Sequence, residues 1–459
     1  MRTRARPASA CADRLALPLL LPTHTPTLTP PSRYYPFKPP IKPESPLGKL
    51  LDAKGVKYYS TTAGRRPLAG GRGGLGGRPV IAGSRLAGRR SFSAVPSTMQ
   101  AAVVRETGDA SVLKVEDDYP VPSVADGQVL VKNEYAGINF IDTCVSLFLL
   151  NPCRKPPPHP PPLPSPPPRY HRSGMYAREL PFVGGQEGGG TIAQTTPKAE
   201  AMGLKVGDRV AYSVLQTYCE YSAVPAAKIL PVPDSVPLDV ATSCVVQGLT
   251  AHYLTTSAHA GLIQPGEWCL IHGTGGGTCQ WAAQMAKIQG YKVIGTAAKG
   301  KADVARATGV DELILLDEMP GTSYEDYDSV DVVKKVMEIT GGKGAKCVID
   351  GIGLATTDIS IDSLAQRGIF VSFGNASGAV PPVAPLRFIT KSAFLTRPKL
   401  LDYTRDRPEL LQRADDIFTW IAEGRLNINV DTVFPLADGP AGHTYLEAGK
   451  SSGKVLYKV

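Results

Sequence analysis

The spacing of apolar and polar residues changes rhythm along this chain of 459 residues. Residues 100–105 and 128–134 alternate apolar with polar and read as half-buried strands, and 205–211 reads as a turn running into another. Many short strands punctuated by Gly and Pro predict a small barrel-like domain. From about residue 235 the rhythm becomes strand then helix. Strands are predicted at 268–272, 291–296, 313–316, 346–350 and 369–373, with helices at 278–290 and 330–340. That alternation predicts a doubly wound parallel sheet. The tail returns to one helix, 408–423, and short strands such as 453–459.

Two stretches have no such rhythm. Residues 1–98 show no sustained apolar period, and the prolines crowd into 22–46 and 152–168. The run Gly88-Arg89-Arg90-Ser91-Phe92-Ser93 has the Arg- and Ser-rich, acid-poor character of a mitochondrial presequence end. The competing reading is that translation starts at Met99 and the upstream text is an over-extended gene model; the two stay open. Residues 144–169 end in a polyproline tract that would form an extended excursion in a loop. Pyrimidine-rich Pro, Leu and Ser codons closed by an AG are also what a retained intron would encode, and excision would join Thr143 to Tyr170 in frame. We favour that second reading.

Charge separates the leader from the body. Residues 1–98 hold 17 basic and three acidic residues, a balance of +14, which leaves 33 basic against 38 acidic residues, or −5, for the remainder. The net +9 therefore sits in the leader, and a field steering the folded body toward nucleic acid is weakly supported. No apolar run approaches the roughly 20 residues that span a bilayer. The eight cysteines are scattered singly, with no CxxC pair, so neither a structural zinc nor a disulfide framework is indicated. A reducing compartment is the simplest setting, the cytoplasm, or the mitochondrion if the leader is genuine.

The strongest local signal for chemistry follows the strand at 268–272. It is the turn Gly273-Thr274-Gly275-Gly276-Gly277-Thr278-Cys279. Glycines between a strand and a helix let backbone N–H groups approach a pyrophosphate. The third glycine of the usual fingerprint is replaced by Thr278 or Cys279. The next strand runs into Ala297-Ala298-Lys299-Gly300-Lys301, where an NAD site usually carries an acid for the ribose 2′-hydroxyl. Small residues and two lysines suit a 2′-phosphate instead, so the expected cofactor is NADPH, read chiefly by Lys299.

With these residues in place, the chain resembles the quinone oxidoreductase (zeta-crystallin-like) family of zinc-independent medium-chain dehydrogenases/reductases. Gly266-Glu267-x-x-Leu270, Gly276-Gly277 and Gln284-x-x-Lys287 carry the resemblance. So do Gly137–Thr143 joined to Tyr170–Tyr176, Leu180–Gly190, Val245–Leu254, Phe373–Gly378 and Phe394–Pro398. The match covers nearly all of 99–459. It implies an α/β architecture: a Rossmann domain over 229–392, and a GroES-like β-rich catalytic domain over 99–228 completed by a C-terminal return over 393–459. It also implies a homodimer. Positions that hold zinc ligands in metal-dependent relatives match Asn139, Gln186 and Gln247, none of which offers a thiolate or imidazole.

Without a Lewis acid the substrate must itself accept hydride, which quinones and conjugated enones do. The resemblance places Asn139 to hydrogen-bond a substrate carbonyl or the nicotinamide ribose, and Tyr170 to position or protonate the oxygen. It places Gly275, Gly276 and Gly277 on the pyrophosphate, and Thr250, Asn375, Phe394 and Arg397 near the nicotinamide. The activity expected is NADPH:quinone reduction. Its rivals are an alkenal or enone reductase on the same scaffold, and a non-catalytic NADPH-binding protein with a structural or RNA-binding role. The histidines at 171, 252, 259, 272 and 443 form no metal spacing and read as ordinary core or surface residues, and Tyr218, Cys219 and Tyr221 read as strand residues with no redox role.

Overall fold

The computed structural model describes residues 95–143, 179–317 and 330–459, all within one compact unit, Leu68–Val459. The Pro-rich segment 144–169, the leader up to residue 94 and Tyr170 lie outside the described residues.

Strands form where the alternation begins. β1 (Thr98–Val104), β2 (Leu113–Pro120) and β4 (Phe182–Val183) make a small antiparallel sheet in the order β2-β1-β4. A larger sheet uses β3 (Gln128–Ile138), β5 (Gly188–Gln194), β6 (Arg209–Tyr212), β7 (Tyr221–Pro225) and β8 (Ile229–Pro231). Two strands from the far end of the chain join it, β15 (Val430–Pro435) and β16 (Lys454–Lys458). The order is β15-β16-β3-β5-β6-β8, with β7 also on β3. The antiparallel pairing of β16 with β3 sets Val455 opposite Ile138, so the last strand runs beside the entry to Asn139.

The strand–helix region builds a six-stranded sheet from β9 (Trp268–Ile271), β10 (Lys292–Ala297), β11 (Glu312–Leu315), β12 (Ala345–Asp350), β13 (Leu364–Ser372) and β14 (Phe394–Thr396). Every neighbouring pair is parallel, and the order is β11-β10-β9-β12-β13-β14. Such a sheet is covered on both faces, which is why its strands read as nearly continuous apolar runs. Cys269 and Ile271 pack on one face with Ala282, Ala283, Met285 and Ala286 of α1 (Gly277–Ile288). Leu270, pointing the other way, joins Val336 of α2 (Val332–Ile339) and Ile361 of α3 (Thr357–Asp362). Asp331 starts α2 by accepting from the Lys334 N–H at 2.9 Å, a cap worth about 1 kcal/mol. The boundary drawn at residue 393 falls just ahead of β14, which belongs to this sheet. The helix Arg407–Ala422 joins the core on one face of this sheet through Leu410, Ala414, Ile417 and Phe418, packed against the helix Leu249–Thr256.

Strand order reverses between β9 and β12, and ligands bind such sheets outside the carboxyl ends of the strands at that reversal. No helix among the described residues is long and apolar enough to cross a membrane.

Candidate active site

Asn139 leaves β3 into a tight turn that its own backbone closes. The Asp142 N–H donates to Asn139 O at 2.9 Å, and the Asn139 N–H donates to Asp142 Oδ2 at 2.9 Å. The Asn139 side chain is buried and held at both ends. Its Nδ2 donates to Glu187 Oε1 at 2.7 Å, while Lys454 Nζ donates to its Oδ1 at 2.9 Å. Lys454 also bonds Glu187 Oε1 and donates to Ile138 O at 3.2 Å, so its three hydrogens each have an acceptor. Glu187 and Lys454 are both fully buried. Glu187 uses its second oxygen to accept the Val246 N–H at 2.7 Å.

This arrangement fixes the amide. Its oxygen faces the ammonium and its nitrogen faces the carboxylate, which leaves one N–H to offer a ligand. A donor so placed can bind a carbonyl oxygen and strengthen its hold as negative charge develops there. Below the turn, Tyr218 Oη donates to Asp142 Oδ2 at 3.0 Å. Burial pushes the Asp142 carboxyl up to about 7, against the pull of its bonds from Asn139 and Tyr218.

Val246 belongs to a π-helical turn, Cys244–Gly248, an irregularity that recurs at functional sites. The next residue, Gln247, lies against the glycine turn: a Cβ on Gly277 would sit 2.6 Å from Gln247 Oε1. That turn opens on Gly273 with φ +73°, which only glycine adopts readily. It closes on Gly276, the residue preceding α1. The turn therefore delivers free backbone N–H groups at a helix start, the arrangement that holds a pyrophosphate. Gly275 lies beneath the stem of Lys301, whose Cβ is 2.7 Å from where its own Cβ would stand.

The two lysines after β10 have different fates. Lys299 is exposed, its backbone N–H anchored on Asp317. Lys301 is committed: its Nζ donates to Gly449 O at 2.9 Å and Ser451 O at 2.7 Å. Of the two, Lys299 keeps its ammonium in the open, and Lys301 ties the glycine turn to the segment ahead of β16.

Thr250 sits on the helix Leu249–Thr256, one turn ahead of Tyr253, a phenol pushed up by burial and reached by the charge of Arg397. Arg397, just past β14, donates to Ser372 Oγ and Gly374 O, both at 2.9 Å. The turn carrying Asn375 folds back on the carboxyl end of β12, where the Ser377 N–H donates to Ile352 O at 2.8 Å. Thr250, Asn375 and Arg397 thus converge at one end of the sheet. Phe394 instead pairs with Ile369 on the sheet's outer strand, its side chain 47% exposed.

Glu187, Lys454, Asp142 and Tyr218 are members of this site that the sequence reading missed. A lone acid before a run of glycines was the available signal for Glu187, and Lys454 shares its strand and register with Lys458. Among the described residues no group of three His, Cys, Asp or Glu side chains is arranged to hold a metal.

Two family models match the chain: an alcohol dehydrogenase GroES-like domain over residues 125–266 and a zinc-binding dehydrogenase domain over 315–456. The quinone oxidoreductase of Pseudomonas aeruginosa is 34% identical over 356 residues, 76% of this chain and 96% of that protein. The 2-haloacrylate reductase of a Burkholderia species is 30% identical over 369 residues, 78% of this chain and 98% of that one. Among solved structures, Escherichia coli quinone oxidoreductase complexed with NADPH aligns with a TM-score of 0.66 at 31% identity, covering 79% of this chain and 99% of that one. A mycobacterial protein complexed with NADPH aligns with a TM-score of 0.67 at 36% identity, covering 79% and 100%.

Proposed function

This chain belongs to the quinone oxidoreductase family of medium-chain dehydrogenases/reductases, and from that premise we propose that it reduces quinones with NADPH and without zinc. The observation that carries the reading is the clamped Asn139 amide, which offers one N–H where metal-dependent relatives place a ligand. The residues fit the cofactor: the glycine turn for its pyrophosphate, Lys299 for its 2′-phosphate, and Thr250, Asn375 and Arg397 around its nicotinamide end. When bound, NADPH supplies the hydride. Asn139 orients the acceptor by its carbonyl oxygen and stabilises charge on that oxygen. Tyr170, joined to Thr143 once 144–169 is removed, is assigned to position or protonate it.

Purified protein is expected to oxidise NADPH with quinones faster than NADH, and to keep that activity after chelation. Tightly held zinc that tracks activity would overturn the metal-free reading. A second reading, hydride delivery to the carbon of a conjugated enone, is favoured by the 2-haloacrylate reductase relative. Comparing a naphthoquinone with a 2-alkenal, both with NADPH, separates the two.

We also propose a homodimer. β14 is the outer strand of its sheet, and Leu386, Ile389, Phe394, Leu395 and Leu401 near it are exposed. An open apolar edge of this kind is covered most simply by a second copy. A monomeric mass in solution would refute it.

A further inference from the structure

We infer that Gln247 contacts the cofactor, its side-chain oxygen accepting a hydrogen bond from the nicotinamide half of NADPH. The inference rests on the NADPH reading above and adds a residue to it.

Three observations converge on Gln247. It lies in the π-helical turn Cys244–Gly248, whose position is fixed by the bond from Val246 N–H to the buried Glu187. Its amide fills the space that a side chain on Gly277 would take: Oε1, Nε2 and Cδ stand 2.6, 2.7 and 2.8 Å from that missing Cβ. Gly277 is the first residue of α1, so a polar group occupies the wall of the glycine turn. Thirdly, Gln247 Oε1 is buried and has no hydrogen-bond partner among the described residues. A buried acceptor without a donor is costly, and natural structures keep few of them. One held beside a cofactor turn is explained if a ligand supplies the donor.

The bridging phosphates of a dinucleotide are ionised at neutral pH and offer only acceptors, so the donor lies on one of the two nucleoside halves. The nicotinamide half offers a carboxamide N–H and ribose hydroxyls, and the neighbouring residues select it over the adenosine half. Thr250, already assigned to that end, follows Gln247 by three residues along the same helical run.

Titrations of the full chain with NADPH and with adenosine 2′,5′-bisphosphate, which lacks the nicotinamide half, test this. Gln247→Met keeps the length and removes the amide. It is expected to weaken NADPH about three- to tenfold, to leave the bisphosphate unchanged, and to leave the ligand-free melting temperature unchanged or higher, because an unsatisfied acceptor is gone. Equal weakening of both ligands, or unchanged NADPH affinity, would overturn the assignment; the latter would leave Gln247 bonded to water. Failure of the unmodified chain to bind either ligand would instead overturn the NADPH reading itself.

Discussion

Replacing Lys454 by Met tests whether the buried clamp holds Asn139. The ammonium is fully buried and gives its hydrogens to Glu187, Asn139 and Ile138. Without it the Glu187 carboxylate keeps the bonds from Asn139 Nδ2 and Val246 N–H but loses its counter-charge. Breaking a buried pair by removing one partner costs about 3–5 kcal/mol. At about 2–4 °C per kcal/mol for a domain of 150–250 residues, the melting temperature should fall by on the order of 10 °C. Removing both charges, in Lys454→Met with Glu187→Leu, should restore most of that loss, since apolar replacement of a whole buried pair is often neutral. Activity should not return, because Asn139 would then lack both of its anchors. The assay is a thermal melt beside steady-state NADPH oxidation for each variant. A single variant that melts like the native chain would refute the clamp. A double variant that regains both stability and turnover would refute its positioning role.

Other expectations follow from the same geometry. Lys299→Ala should weaken NADPH by about 1–3 kcal/mol and leave NADH nearly unchanged; equal losses would remove Lys299 from the 2′-phosphate. Asp142 is raised to about 7 in the fold against about 3.9 when unfolded, so between those values the folded chain binds the extra proton. Its contribution to stability is present below about pH 4 and is lost as pH rises toward 7. Asp142→Asn, which mimics the protonated carboxyl, should remove this loss when melts are compared across that range; identical slopes would show that the carboxyl does not titrate there. Deleting 144–169 is expected to raise quinone kcat with NADPH affinity unchanged, since catalytic geometry tolerates little displacement. Equal kcat values would make the segment a tolerated loop.

The parallel sheet was legible because its signal is local. β9, β10 and β12 are short apolar runs each followed within a few residues by a helix, and the glycine turn lies between β9 and α1 without a break. The clamp was not legible because its members are far apart in the chain. Glu187 and Lys454 are separated by 267 residues and meet only because β16 pairs with β3. No pattern around Lys454 distinguishes it from Lys458, four residues on, which stands exposed on the same strand and pairs with Glu134. Lys299 and Lys301 make the same point at closer range. They flank one glycine and carry one charge each, yet the backbone of 449–451, folded in from the far end, takes one and leaves the other. Residue type therefore indicated the chemistry at the glycine turn, whose residues are consecutive. The substrate side depends on strand register between the two ends of the body. A substitution that shifted β16 by one residue would turn Lys454 away from Asn139 without altering any motif in the sequence.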